Sequence, residues 1–146
     1  MNVATPVIAK APGRIASLAL LDDAQFDHAA LRRSATRTDF VESTVSLYSA
    51  EDALDYIGHP DRPPIDVFLV DLQMPRTDGL EFLSVATDRF GPGFAQLIYL
   101  ALTLEPDKDL NEDMQSLGCL TGWVEKPVTP STLLRISTDL HLARQT

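Results

Sequence analysis

Short, nearly unbroken apolar runs alternate along this chain with segments whose apolar residues recur every three or four positions. The strand-like runs are 15–21, 43–48, 65–70, 96–102 and 122–125. The intervening periodicity predicts helices over 24–36, from Ser49 to near Gly58, over 79–90, from Pro106 to Gly118, and after Thr129 or Ser131. Strands that alternate with helices build parallel βαβ units. Strands that are apolar throughout belong in a sheet covered on both faces. Five such units make a doubly wound α/β sandwich, which binds ligands beyond the carboxyl ends of its strands, where the strand order reverses.

Local signals refine this outline. Ser49 reads as an N-cap, with Asp52 three residues on. Pro106 reads as the first residue of its helix and Gly118 as its end. The prolines of 59–64 make a stiff loop, and Gly91-Pro92-Gly93 breaks the third helix. The first helix is expected to place Phe26, Ala30 and Arg33 near one face. The third is expected to turn Leu80, Leu83, Val85 and Ala86 inward, the fourth Leu110, Met114 and Leu117, and the last Leu133, Ile136 and Leu140. Residues 1–14 hold Pro6, Pro12 and Gly13 without a period and read as a mobile N-terminal tail, leaving one domain over 15–146.

Charge narrows the function. Twelve basic residues against 21 acidic ones leave a net charge of −9. That argues against nucleic acid as a partner, since phosphate backbones need basic patches. It suits a partner with basic contacts, or a site that holds a cation. One cysteine, Cys119, allows no internal disulfide, and a reducing cytoplasm is the simplest home. Cys119 reads as a small packing residue. No apolar stretch is long enough to span a bilayer, so no membrane is expected. The run 15–21 follows Lys10 and Arg14 as an export signal would, but it meets Asp22-Asp23 and no small-residue cleavage site.

The strand ends carry the chemistry. The first run ends in Asp22-Asp23, the third in Asp71, the fifth in Lys126-Pro127. If the first and third strands are neighbours, three carboxylates share one cleft with a lysine beside them. Like charges at that range oppose folding unless something neutralises them. Oxygen ligands select a hard cation, and few protein ligands with room for water favour Mg²⁺ over Ca²⁺. No glycine-rich phosphate loop is present, and no His/Cys cluster suggests zinc.

The stretch Asp71-Leu72-Gln73-Met74-Pro75-Arg76-Thr77-Asp78-Gly79 resembles the phosphorylation loop of the response-regulator receiver domains of two-component signalling. Asp22-Asp23 resembles the acidic pair after that family's first strand, and Lys126-Pro127 its Lys-Pro after the fifth. Trp123 falls three residues before Lys126, where the family carries an aromatic switch residue. Each motif alone is weak, but four in the right order on the right elements are specific. The resemblance spans residue 15 to the C-terminus and implies a flavodoxin-like sheet of order 2-1-3-4-5 with five helices. It implies Asp71 as phosphoryl acceptor, Mg²⁺ held by Asp23, Asp71 and the Gln73 carbonyl with Asp22 acting through water, and Lys126 on the phosphoryl oxygens. It also makes Lys126-Pro127 a candidate cis bond.

The implied partners are a histidine kinase or histidine phosphotransfer protein and a downstream protein target. A chain that ends after the last helix would act as a stand-alone, single-domain switch, and not as an enzyme beyond its own phosphorylation and dephosphorylation. One departure stands out. The family's fourth strand ends in Ser or Thr, and this chain aligns Ala101 there. Either Thr103 supplies the hydroxyl through a shifted loop, or the hydrogen bond is missing. The second reading is favoured, and would weaken coupling to Trp123 by about 1 kcal/mol.

Plainer readings stand beside these. Asp22-Asp23 taken alone is a helix N-cap, Lys126 a surface lysine and Trp123 a packing residue. His28, His59 and His141 are expected on exposed helices or loops. Two other functions compete: a phosphorylation-independent adaptor, kept open by Ala101, and an Mg²⁺-dependent phosphatase with Asp71 as nucleophile. The haloacid-dehalogenase type of phosphatase needs a second Asp two residues on, where this chain has Gln73.

Overall fold

The structure, a computed structural model, describes residues 13–145. Within them strands and helices alternate: β1 (Leu18–Leu21), α1 (Gln25–Thr36), β2 (Thr44–Leu47), α2 (Ala50–Gly58), β3 (Val67–Asp71), α3 (Gly79–Phe90), β4 (Leu97–Leu102), α4 (Lys108–Leu117), β5 (Gly122–Glu125) and α5 (Pro130–Arg144). The strands form one parallel sheet in the order β2-β1-β3-β4-β5. This is the five-stranded flavodoxin-like arrangement. The order reverses between β1 and β3, so their carboxyl ends lie side by side.

Burial follows the pattern of the sequence. The central strands β1, β3 and β4 are buried at every residue. Helices α1 and α5 cover one face, where Leu31, Leu133, Ile136 and Leu140 pack with Leu20, Leu69 and Tyr99. Helices α2, α3 and α4 cover the other, where Ala53, Ile57, Leu83 and Met114 pack with Leu21 and Leu100. Phe68 centres that second layer, with its ring 5.9 Å from Phe82 and 5.6 Å, edge-on, from Phe94. Among the described residues no helix is long and apolar enough to cross a membrane.

Helix ends follow local chemistry. Ser49 Oγ accepts the Asp52 N–H, and Asp78 and Glu81 close a reciprocal capping box at the start of α3. Thr129, rather than Ser131, caps α5, with Pro130 in its first turn. Gly91 and Gly118 end α3 and α4 at positive φ, 85° and 77°.

Several expectations are corrected. The helix expected from Pro106 starts at Lys108, because the Asp107 carboxylate accepts the Leu110 N–H at 2.8 Å and makes a stronger start. The buried face of α1 is His28, Ala30, Leu31 and Ser34, whereas Phe26 is 66% exposed and Arg33 lies on the surface. His28, expected on the surface, is therefore buried, while His59 is exposed and His141 half-buried. Val85 points to solvent, and Phe82 takes its place inward.

The first strand begins at Leu18, three residues later than expected, with Ile15 making a lone parallel bridge to Val41. The tail expected over 1–14 lies outside the described residues as far as residue 12. Gly13 and Arg14 lie against α5. The Gly13 N–H donates to Ser137 Oγ at 3.0 Å, the Ser137 hydroxyl donates to the Gly13 carbonyl, and Arg144 donates to the Arg14 carbonyl.

Candidate functional site

At the carboxyl edge of the sheet a cleft of about 590 Å³ opens between the loops after β1, β3, β4 and β5. Asp22 follows the last residue of β1 and is fully buried. Its backbone N–H donates to the Leu47 carbonyl, and its Oδ1 accepts the Ala24 N–H at 2.9 Å. Its carbonyl accepts from His28 Nε2 at 2.7 Å, which fixes that imidazole with its proton on Nε2. His28 Nδ1 is buried without a partner among the described residues, and the ring lies 4.2 Å from that of Tyr48. Asp23, next along, is exposed to the cleft.

Asp71 is the last residue of β3 and pairs in register with Ala101 of β4. It is 5% exposed, and its Oδ1 accepts the Gln73 N–H at 3.4 Å. The loop returns to the sheet where the Gly79 N–H donates to the Leu72 carbonyl. A Cβ at position 79 would lie 2.5 Å from the Asp71 carbonyl oxygen, so only glycine fits this close approach. Lys126 is set by its own N–H, bonded to the Leu102 carbonyl at 2.8 Å. The Lys126-Pro127 bond is cis.

These elements bring Asp22, Asp23, Asp71 and Lys126 together. Lys126 Nζ lies 3.2 Å from Asp22 Oδ2, 3.0 Å from Asp71 Oδ1 and 3.0 Å from Asp27 Oδ2. Burial pushes the Asp22 carboxyl up to about 6; the Asp71 charge adds to the rise, and Lys126 and the Ala24 N–H oppose it. Burial also raises the pKa of Asp71, against the pull of Lys126. Burial disfavours the Lys126 charge, but hydrogen bonds to Asp71 and Asp27 and the field of Asp22 outweigh it and raise its pKa. One ammonium therefore leaves the carboxylates under-compensated.

The donor set fits a hard cation. Asp22, Asp23 and Asp71 each offer a carboxylate oxygen within 4.8 Å of the others, with no imidazole or thiolate in the group. Gln73 lines the same cleft, as do Ala101, which is buried, and Thr103, which is exposed. Trp123 is not part of the cleft lining. It is half-buried on β5, packs against the α2, α3 and α4 layer, and its carbonyl accepts from Arg135 at 2.9 Å.

Two members of the site escape the reading of the sequence. Asp27, on α1, is the third carboxylate on Lys126. Neither Asp27 nor His28, which holds the Asp22 carbonyl, carries a local sequence signal, because their placement depends on how α1 docks on the sheet.

No protein-family model matches the sequence, and no curated protein matches it. Solved structures do match its fold. A two-component response regulator from Cytophaga hutchinsonii superposes with a TM-score of 0.75 at 20% identity, covering 87% of this chain and 97% of that one. The chemotaxis protein CheY4 of Vibrio cholerae gives 0.70 at 21% identity, covering 86% and 98%. A two-component response regulator from Legionella pneumophila gives 0.71 at 21% identity, covering 87% and 98%.

Proposed function

We propose that this chain, whose fold is that of the response-regulator receiver domains, is a phosphorylation-controlled signalling switch with Asp71 as its phosphoryl acceptor. The observation that carries the reading is the meeting of Asp22, Asp23, Asp71 and Lys126 in one cleft at the point where the strand order reverses.

The chemistry follows from that grouping. The donor is a phosphohistidine on a histidine kinase or a histidine phosphotransfer protein. An Asp71 carboxylate oxygen attacks phosphorus, the new O–P bond forms, and the N–P bond breaks with its electron pair left on the imidazole. A Mg²⁺ ion held by Asp23, Asp71 and the Gln73 carbonyl, with Asp22 acting through water, would supply positive charge against the repulsion between carboxylate and phosphoryl group. Lys126 exchanges its bond to Asp71 for one to a phosphoryl oxygen, as a mobile point charge. The product is a short-lived acyl phosphate, and the chain signals through contact with a downstream protein or by passing the group along a relay.

A second reading, a phosphorylation-independent adaptor, draws on Ala101, which puts a methyl group beside Asp71 where a hydroxyl would bond the phosphoryl group. One experiment separates the two: incubation with acetyl phosphate and Mg²⁺ followed by intact mass. A phosphoryl adduct on the native chain that is absent from Asp71→Asn is expected. An unmodified native chain would leave the adaptor reading standing.

A further inference from the structure

We propose that Asp27 is a positioning residue that retains the Lys126 ammonium when a divalent cation engages Asp22 and Asp71. The inference rests on reading the cleft as a cation and phosphoryl site, and it concerns a residue outside the expected ligand set.

Three carboxylates surround the Lys126 ammonium: those of Asp22 and Asp71 accept its hydrogen bonds, and that of Asp27 pairs with it at 3.0 Å. The Asp27 contact is not an ordinary surface pair, since its side chain is 16% exposed and that of Lys126 is 13%. Two of the three carboxylates, Asp22 and Asp71, belong with Asp23 to the oxygen cluster that fits a cation; Asp27 does not. A cation held there draws on two of the carboxylates that hold the ammonium and repels it at short range. Without Asp27 the ammonium falls back on the Asp22 and Asp71 carboxylates and competes with the ion for them.

With Asp27 present, the ammonium keeps one charge-assisted bond at the rim of the cleft, within reach of an incoming phosphoryl oxygen. The backbone supports this role. Asp27 sits in the first turn of α1, and Ser34 of the same helix donates to the Val128 carbonyl at 2.7 Å. That bond ties α1 to the loop that carries Lys126, so the two partners are held by one unit.

The test is Mg²⁺ titration of the full chain, read by calorimetry and by the rise in melting temperature that binding produces. Asp27→Asn is expected to weaken Mg²⁺ binding about tenfold, the size of one lost hydrogen bond to a charged group. In a Lys126→Ala background, the same substitution is expected to change affinity by less than about threefold, because the group it positions is gone. Melting without the ion checks that each variant folds, and Asp27→Ser is the second substitution if Asp27→Asn does not.

Equal weakening with and without Lys126 would mean that Asp27 acts only through its field, and would overturn the proposal. So would an unchanged affinity in Asp27→Asn. A native chain that binds no Mg²⁺ at all would overturn both this proposal and the reading on which it rests.

Discussion

Asp22 loses its water on folding, and the ammonium near it is shared with Asp27 and Asp71. Its pKa therefore rises to about 6, with burial as the main cause. The folded state then holds this proton more tightly than the unfolded chain does. The resulting stability is fully present below the unfolded carboxylate range and is lost as pH rises through about 6. Asp71 is raised for the same main reason and acts with the same sign. In ion-free buffer, urea unfolding from pH 4 to pH 8 should show native stability falling relative to Asp22→Asn, and saturating Mg²⁺ should flatten the difference. A difference that grows toward low pH would show that Asp22 is held ionised. Asp22, Asp23, Asp71 and Lys126 are legible in the sequence because each ends a strand, and strand ends converge in any sheet of this order. Asp27 and His28 are not, because which helical residues face a strand end depends on how α1 docks, and no local pattern encodes that rotation.

The elements hold the site through a few contacts that tolerate little change. Gly79 opens α3 against the Asp71 carbonyl, with Leu100 and Leu72 also close to where a Cβ would lie. Gly79→Ala should force β3 and α3 apart, cost about 1–3 kcal/mol in unfolding free energy, and weaken Mg²⁺ binding by shifting Asp71. Gly93→Ala is the control, since a Cβ there meets nothing and the substitution should leave binding unchanged. If Gly79→Ala melts like the native chain, the close approach is not a constraint. The elements themselves are readable where caps and period agree, as at Ser49 and Gly118. They mislead where two signals compete. Pro106 has the chemistry of a helix start, but the next residue carries a carboxylate that caps better. On α1, Phe26 has the apolar character of a buried residue, but it lies outside the buried stripe that includes Leu31 and Ser34 and is 66% exposed.

At the scale of the whole molecule, the alternation of apolar runs and amphipathic segments is enough to read the layered architecture, since parallel strands must be covered on both faces. Whether the site speaks to the rest of the molecule depends on the path from Asp71 to Trp123. Ala101 lies beside Asp71 on β4 and Trp123 beside Leu100 on β5, so a single strand, β4, separates the two ends of the path. A hydroxyl at position 101 would tie the phosphoryl group to β4; the methyl group cannot, which costs about 1 kcal/mol of coupling, or about fivefold in the switching equilibrium. Beryllofluoride with Mg²⁺, an acyl-phosphate mimic, should therefore shift Trp123 fluorescence only modestly in the native chain. Ala101→Ser should enlarge the shift, and Asp71→Asn should abolish it in either background. Because Trp123 is half-buried against the α2, α3 and α4 layer, its emission reports repacking there rather than events in the cleft. A native chain with no shift, paired with an Ala101→Ser variant that gains one, would place the loss of coupling at residue 101. Silence in both would mean that this face does not read the phosphoryl state.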